Sequence, residues 1–568
     1  MLGTSKLCFK PLRLELSLGS ISQERHEKMK TSIKLLTLLF ATSLVVGCNL
    51  GGNGGGNGNG GSVEGFVFND SELEEEQVIH TQNQASFLNF KKDTGKSYYD
   101  ITSSDLNGFD AYGNKNVSTP NKVTLKWDYE VPSDKELSKF VVTFGQEQDL
   151  SDGLTVNGTK QNQISFYNSY IGTNYFKVTA KFTDDTEESS EIKTFKVQDV
   201  APRNLYAGNM PNVRDMGGRA TVAGGRLRQG LIYRGAGNRF DNSSQIDDEC
   251  KNILLNQLKI KTEINVANST SNNMNLEGTT VQDCFMAYGA VPYSNLARNS
   301  VRIRQIMEIL ADENNYPVFY HCRIGTDRTG ITGMMINGLL GVDFDECLQD
   351  YLFSNFAPID NQRYPHKSSD PNGDDIAKYI DALLELPGDT FQQKVYLALR
   401  MIGCSAAQLD KIIDIMTIGP KANFSDSFKV SGDSDLTSTA NKTTTTNYKA
   451  PASYYAVSSN GSVTYTVTTT AGNKDVIVYL GYTGSVNSND TSSKLSNYIT
   501  LKIDGQDKTL ATTRSLWTAG FGSTQQDNRI GYMFNILGNY AFTAGQHTVQ
   551  VGVKSGTFNI ATVGVADR

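Results

Sequence analysis

At 568 residues the chain exceeds what one hydrophobic core supports, and a prior of ~100 to 200 residues per domain divides it into three or four parts. Its 53 basic and 60 acidic residues leave a formal net charge of −7, no basic stretch argues for nucleic acid, and no apolar run is long enough to span a bilayer. Of seven cysteines, Cys250, Cys284, Cys322, Cys347 and Cys404 all fall in the middle region, which argues for free thiols rather than a disulfide framework.

Residues 1–28 have little pattern and are expected to be an extension upstream of a true start at Met29. From there Lys30 and Lys34 form a charged region, Leu35 to Val46 a short apolar core, and Val45-Val46-Gly47-Cys48 a small-residue cleavage site. Residues 29–48 thus resemble a bacterial lipoprotein signal. That resemblance implies a lipid on Cys48 and a body held outside the cytoplasm, in the periplasm or on the cell surface, touching the membrane through the anchor only. Residues 49–80 read as a tether, because Gly51 to Gly61 is wholly Gly and Asn and cannot bury a core; Glu72 to Glu76 reads as a solvated run.

Residues 81–200 turn to short alternating runs. Val123–Trp127, Phe140–Phe144, Gln163–Phe166, Tyr175–Phe182 and Ile192–Val197 are predicted strands. Their order suggests a β-sandwich similar to a fibronectin type III or other immunoglobulin-like module, with Trp127 as its core aromatic.

Residues 201–422 alternate strands with helices, which implies a mostly parallel sheet covered on both faces. Leu258 to Val266 and Pro317 to Tyr320 read as strands. Val301–Ala311, Thr329–Leu340, Asp345–Phe353, Asp374–Leu386, Thr390–Met401 and Ala406–Met416 read as helices. Between the second strand and its helix lies His321-Cys-Arg-Ile-Gly-Thr-Asp-Arg-Thr-Gly330. A loop at a helix N-terminus offers unpaired N–H groups and the positive dipole end, and Gly325 lets the backbone curl, so an anion fits there. The same field favours a Cys322 thiolate, and the planar fork of Arg328 can clamp two phosphoryl oxygens.

His321 and Cys322, then five residues, then Arg328 and Thr329, resemble the signature of the cysteine-dependent protein tyrosine phosphatases. Asn212-Val-Arg-Asp-Met-Gly-Gly218 and Gly230-Leu-Ile-Tyr-Arg234, followed by that loop, are similar to a bacterial secreted branch of tyrosine and phosphoinositide phosphatases. The resemblance covers about residues 201–420.

The expected reaction is two-step transfer through a cysteinyl-phosphate. Cys322 is the nucleophile, and Arg328 with the loop Arg323, Ile324, Gly325, Thr326 and Asp327 binds phosphate. Thr329 donates to the sulfur, and His321 orders the loop. The resemblance implies Asp327 as general acid, with Asp283 as rival. Arg214, Asp215 and Arg234 are supporting residues, Asp215 beside Arg214 as a structural ion pair, and Asp350 to Phe356 is read as packing. Many relatives carry Asp-Leu-Arg where this chain has Asn265-Val-Ala267. No metal or cofactor is expected, because Arg328 and the amides carry the charge.

Relatives that prefer phosphoinositides often place Lys where Thr326 stands, so protein phosphotyrosine leads as substrate. Inositol phosphates and phosphoinositides follow.

Residues 423–448, rich in Ser, Thr and Asn, read as a linker. Residues 449–568 read as a second sandwich, with strands at Ser462–Thr469, Lys474–Tyr482, Tyr498–Ile503, Gly531–Ile536, His547–Val553 and Phe558–Val565. This resembles a jelly-roll carbohydrate-binding module, which implies a glycan partner; an unspecialised sandwich fits equally. The fold class is therefore an α/β catalytic domain between two β-sandwiches. A different class of reading is a surface adhesin with an inactive phosphatase-like domain and glycan-binding modules.

Overall fold

The computed structural model describes residues 65–567 except 112–118, 242, 287–298, 360, 366–374, 425–426, 433–434, 446–450, 487–489 and 517–531. The described residues belong to one compact unit. The expected extension, the signal, Cys48 and the Gly/Asn stretch lie outside the described residues.

A six-stranded sheet positions the site. Its order is Thr280–Asp283, Thr262–Asn265, Val318–His321, Ile232–Gly235, Arg214–Asp215, Arg203–Asn204. The first four strands run parallel, Arg214–Asp215 runs against them, and Arg203–Asn204 pairs antiparallel to Arg214–Asp215 and so runs with the first four. Val318–His321 lies between two parallel neighbours and is buried along its whole length, which is why its apolar run does not alternate.

The helix Asp327–Leu339 leaves that strand through the phosphate-loop sequence, and all its residues are buried. A helix apolar on every side belongs inside a core. It packs against the helices Phe344–Phe353 and Phe391–Met401. At Gly333 a Cβ would come within 2.9 Å of the Arg234 guanidinium and the Tyr320 hydroxyl, so only glycine admits both.

The expected strand Leu258–Val266 shortens to Thr262–Asn265, because helical turns from Asp248 to Gln257 run up to Leu258. Asn265 then closes the following turn. Its Oδ1 accepts from the Ala267 N–H at 2.8 Å and its Nδ2 donates to Ser269 O at 3.0 Å.

Three expected boundaries move. Residues 82–108 do not join the N-terminal sandwich; they fold into the helices Gln82–Leu88, Phe90–Thr94 and Ser103–Gly108. Thr81 and Thr102 start the first and last with reciprocal capping boxes. Phe87, Phe90, Tyr98 and Leu106 enter the same core as the phosphate-loop helix, and Gln349 Nε2 donates to Leu88 O at 3.2 Å and to the Tyr98 hydroxyl at 3.0 Å.

The expected tether ends sooner than residue 80. Phe66 stacks on Tyr129 with centroids 4.4 Å apart, Asp70–Glu74 is helical, and Gln77 bridges to Val197. The expected linker 423–448 carries the strands Phe428–Val430, Leu436–Ser438 and Lys442–Thr444.

The N-terminal sandwich pairs Val123–Lys126 with Gln163–Phe166, and Leu137–Gly145 with Leu154–Asn157 and Gly172–Phe182. Trp127 lies in its core, edge-on to Phe140 at 5.1 Å. The C-terminal sandwich is two antiparallel sheets, and one strand shows how it is attached. Along Gly472–Tyr482, Val476, Val478 and Leu480 face the sandwich interior while Ile477 and Tyr479 enter the core that holds the helix Asp327–Leu339. Period-two alternation therefore buries both faces of that strand. Thr562 Oγ1 donates to Met401 O at 2.8 Å, and the Tyr479 hydroxyl lies 3.2 Å from Ser300 Oγ.

Candidate active site

Cys322 is the first residue beyond the central strand, and the helix begins at Asp327. The intervening turn is tight. Gly325 has φ +73°, and a Cβ there would come within 2.3 Å of Gly235 O, so a side chain is excluded twice over.

The carbonyls of this turn are held from outside. His321 Nδ1 faces Cys322 O at 3.0 Å, and the Gly237 N–H donates to Arg323 O at 3.0 Å. Asn212 Nδ2 donates to Ile324 O at 3.2 Å and Gly325 O at 3.1 Å, and Arg234 Nη2 donates to Gly325 O at 2.9 Å. In a trans peptide the carbonyl of one residue and the N–H of the next point opposite ways. Holding the carbonyls of 322–325 outward therefore turns the amides of 323–326 inward, where an anion would sit.

His321 is fully buried and meets acceptors at both ring nitrogens: Cys322 O, and Glu263 Oε1 at 2.8 Å from Nε2. Two acceptors require two N–H donors, as in imidazolium. Burial opposes that charge, but the hydrogen bond and charge of Glu263 outweigh it and raise the His321 pKa above 6.5. Glu263 Oε1 is fixed in turn by the Met274 N–H at 2.9 Å.

Burial would push the Cys322 thiol up. The Arg328 charge, with the Thr329 hydroxyl and N–H close by, reverses this and leaves its pKa below the usual thiol value, while Asp327 opposes them. The other four described cysteines are also free and buried. Burial pushes Cys250, Cys284 and Cys404 up to about 12 and raises Cys347 well above the ordinary value. Cys322 alone of the five is tuned toward thiolate.

Asp327 is buried beside the loop, and its carboxylate is held by both arms of Arg363, Nε to Oδ1 at 2.7 Å and Nη2 to Oδ2 at 3.1 Å. Asp283 ends the edge strand level with Asn265, which is level with His321. Two strand spacings put it about 10 Å from His321.

Beneath the loop, Asp350 is a hub of charge rather than packing. Its carboxylate accepts from Arg214 Nε at 2.8 Å and from Arg234 Nη1, and Arg219 lies 4.0 Å away. Burial works against the Asp350 anion, yet Arg214, Arg234 and Arg219 hold it well below the usual carboxylate range. Arg234 thereby carries the hub to Gly325, and Arg214 carries it to Asn212. Asp215 does not pair with Arg214. Its partner is the buried Arg203, at 3.4 Å, because the residues' side chains leave the strand on opposite faces.

Asn212, Glu263, Asp350 and Arg363 were not expected at the site. An acid in a strand buried along its whole length was the available sign of Glu263, whereas Arg363 lies 36 positions from its partner and has no local signature. Among the described residues no group of three His, Cys, Asp or Glu is placed to hold a metal.

Residues 206–416 match the model of the tyrosine phosphatase family. This part of the chain, just over a third of it, is similar to that family. No curated protein matches the chain. Solved structures similar to parts of it include the catalytic domain of the PP-IP phosphatase SIW14 from S. cerevisiae, at 19% identity over 23% of this chain and 77% of that one, TM-score 0.19. TpbA from P. aeruginosa, solved with pTyr, is 17% identical over 30% of this chain and 86% of its own, TM-score 0.21. The CBM35 of Paenibacillus barcinonensis is 15% identical over 25% of this chain and 98% of its own, TM-score 0.17.

Proposed function

We propose that the domain hydrolyses phosphate monoesters through a cysteinyl-phosphate. The observation that carries this reading is a buried thiol tuned toward thiolate at the start of a turn whose carbonyls are all held outward. Cys322 Sγ forms the S–P bond as the ester P–O bond breaks, with Arg328 and the amides of 323–328 meeting the equatorial oxygens. Water then displaces sulfur and releases inorganic phosphate. Thr329 supports Cys322 as the leaving thiolate. Asp327, at the loop itself, is assigned proton transfer: to the leaving oxygen in the first step and from water in the second. Asp283 is disfavoured by its distance.

Protein phosphotyrosine is the leading substrate. Thr326 is buried against Asn212 and brings no second cation into the loop for a further phosphate. Inositol phosphates and phosphoinositides are the alternative, and a panel of phosphotyrosine peptides, phosphoserine peptides and inositol phosphates separates them. We place the reaction outside the cytoplasm, on a lipid carried by Cys48, and assign glycan binding to the C-terminal sandwich; metabolic palmitate labelling and a glycan array with the full chain test these.

Turnover of p-nitrophenyl phosphate without added metal, lost in Cys322→Ser, supports the enzyme. No turnover by reduced protein would leave the adhesin reading.

A further inference from the structure

Asp327 puts a carboxylate into the first turn of the phosphate-loop helix, beside Arg328. Negative charge there opposes both the Cys322 thiolate and an incoming phosphate dianion. Arg363 meets that carboxylate with a two-pronged bond of 2.7 and 3.1 Å, and each side chain is only about one-tenth exposed, at 10% and 11%.

The guanidinium is placed by construction. Arg363 N–H donates to Asn355 Oδ1 at 2.8 Å, Asn355 Nδ2 donates to Arg363 O at 2.7 Å, and Arg363 Nη1 donates to Asn361 O at 2.6 Å. Asn355 is itself fully buried. A planar fork matched to a carboxylate fixes orientation as well as charge.

We propose that Arg363 is a positioning residue of the phosphate loop: a built-in counter-ion that pins Asp327 and cancels its charge beside Cys322. This rests on Cys322 being the nucleophile. The charged and polar groups facing Cys322 are Arg328, Asp327 and Thr329 from its own loop and helix, His321 with Glu263 from the strands, and Arg234 from the neighbouring strand. Arg363 reaches this set through Asp327, from a separate segment beyond the helix that ends at Phe353. Without it, Asp327 stands uncompensated, and the thiolate becomes harder to form.

The test is the pH dependence of Cys322 alkylation by iodoacetamide in the full chain, without substrate, for wild type, Arg363→Gln, Arg363→Lys, Asp327→Asn and the Arg363→Gln/Asp327→Asn double variant. The wild-type midpoint is expected below the ~8.5 of a free thiol. Arg363→Gln should raise it by about one pH unit, and Arg363→Lys, which keeps charge without the fork, should recover part of that. In the Asp327→Asn background Arg363→Gln should shift nothing. A general folding defect would persist in the double variant, so an undiminished shift there overturns the proposal, as does an unmoved midpoint in Arg363→Gln. An ordinary thiol midpoint in wild type would instead remove the nucleophile on which it rests.

Discussion

His321 Nε2 and Glu263 Oε1 stand 2.8 Å apart with both side chains sealed from solvent, so the residue before Cys322 is held by a carboxylate on the neighbouring strand. Breaking a buried ion pair costs about 3–5 kcal/mol, and Glu263→Gln is expected in that range by urea denaturation at pH 6. The sign with pH follows from the raised His321 pKa. The pair's contribution is complete below the unfolded value of about 6.5 and is lost as pH rises through the folded value. Wild type should therefore lose stability toward Glu263→Gln on the alkaline side, and parallel curves would contradict this.

Asp350→Asn leaves Arg214 and Arg234 facing each other without their shared anion. A loss of about 3–5 kcal/mol is expected by equilibrium unfolding at neutral pH. Because the Asp350 pKa is depressed, its contribution is present above about 3.8 and falls away as pH drops toward the folded value. The difference between variant and wild type should shrink in acid.

Asn212→Ala removes the donor to the carbonyls of Ile324 and Gly325, letting that peptide turn. The kcat/KM for p-nitrophenyl phosphate should fall about tenfold, equivalent to ~1.4 kcal/mol of transition-state stabilisation. Phosphate inhibition should weaken in step, and unchanged inhibition would sink this account of the cradle.

Thr329→Ala takes away a hydroxyl that favours the Cys322 thiolate and that is positioned to donate to the sulfur as it leaves. A hydrogen bond to a charged group contributes about 1.5–3 kcal/mol, so hydrolysis of the intermediate should slow by roughly ten- to a hundredfold. A burst of p-nitrophenol before a slow steady state is the expected trace; a proportional fall of both phases contradicts the role.

The expected phosphate loop could be named from the sequence because its residues are contiguous: Cys322 and Gly325 lie in the turn and Arg328 in the first turn of the helix that follows. Its supports were not. Asn212, Glu263, Asp350 and Arg363 come from four segments that only the sheet and helix packing bring together. Asp350 was visible within a recognised stretch but read as packing, since its arginines are more than a hundred positions away.

Residues 82–108 escaped because helices of one or two turns show too little period, and 423–448 because short Ser- and Thr-rich strands owe their place to the strands they pair with. Long periodic elements such as Ala406–Met416 and Ser462–Thr469 stand where their patterns put them.

The most direct measurement is to quench the reduced protein in acid during turnover of p-nitrophenyl phosphate and to map phosphate by mass spectrometry. The account predicts a phosphoryl group on Cys322 Sγ, absent in Cys322→Ser and more abundant in Thr329→Ala. Steady turnover with phosphate on no residue, or on a residue other than Cys322, would contradict it.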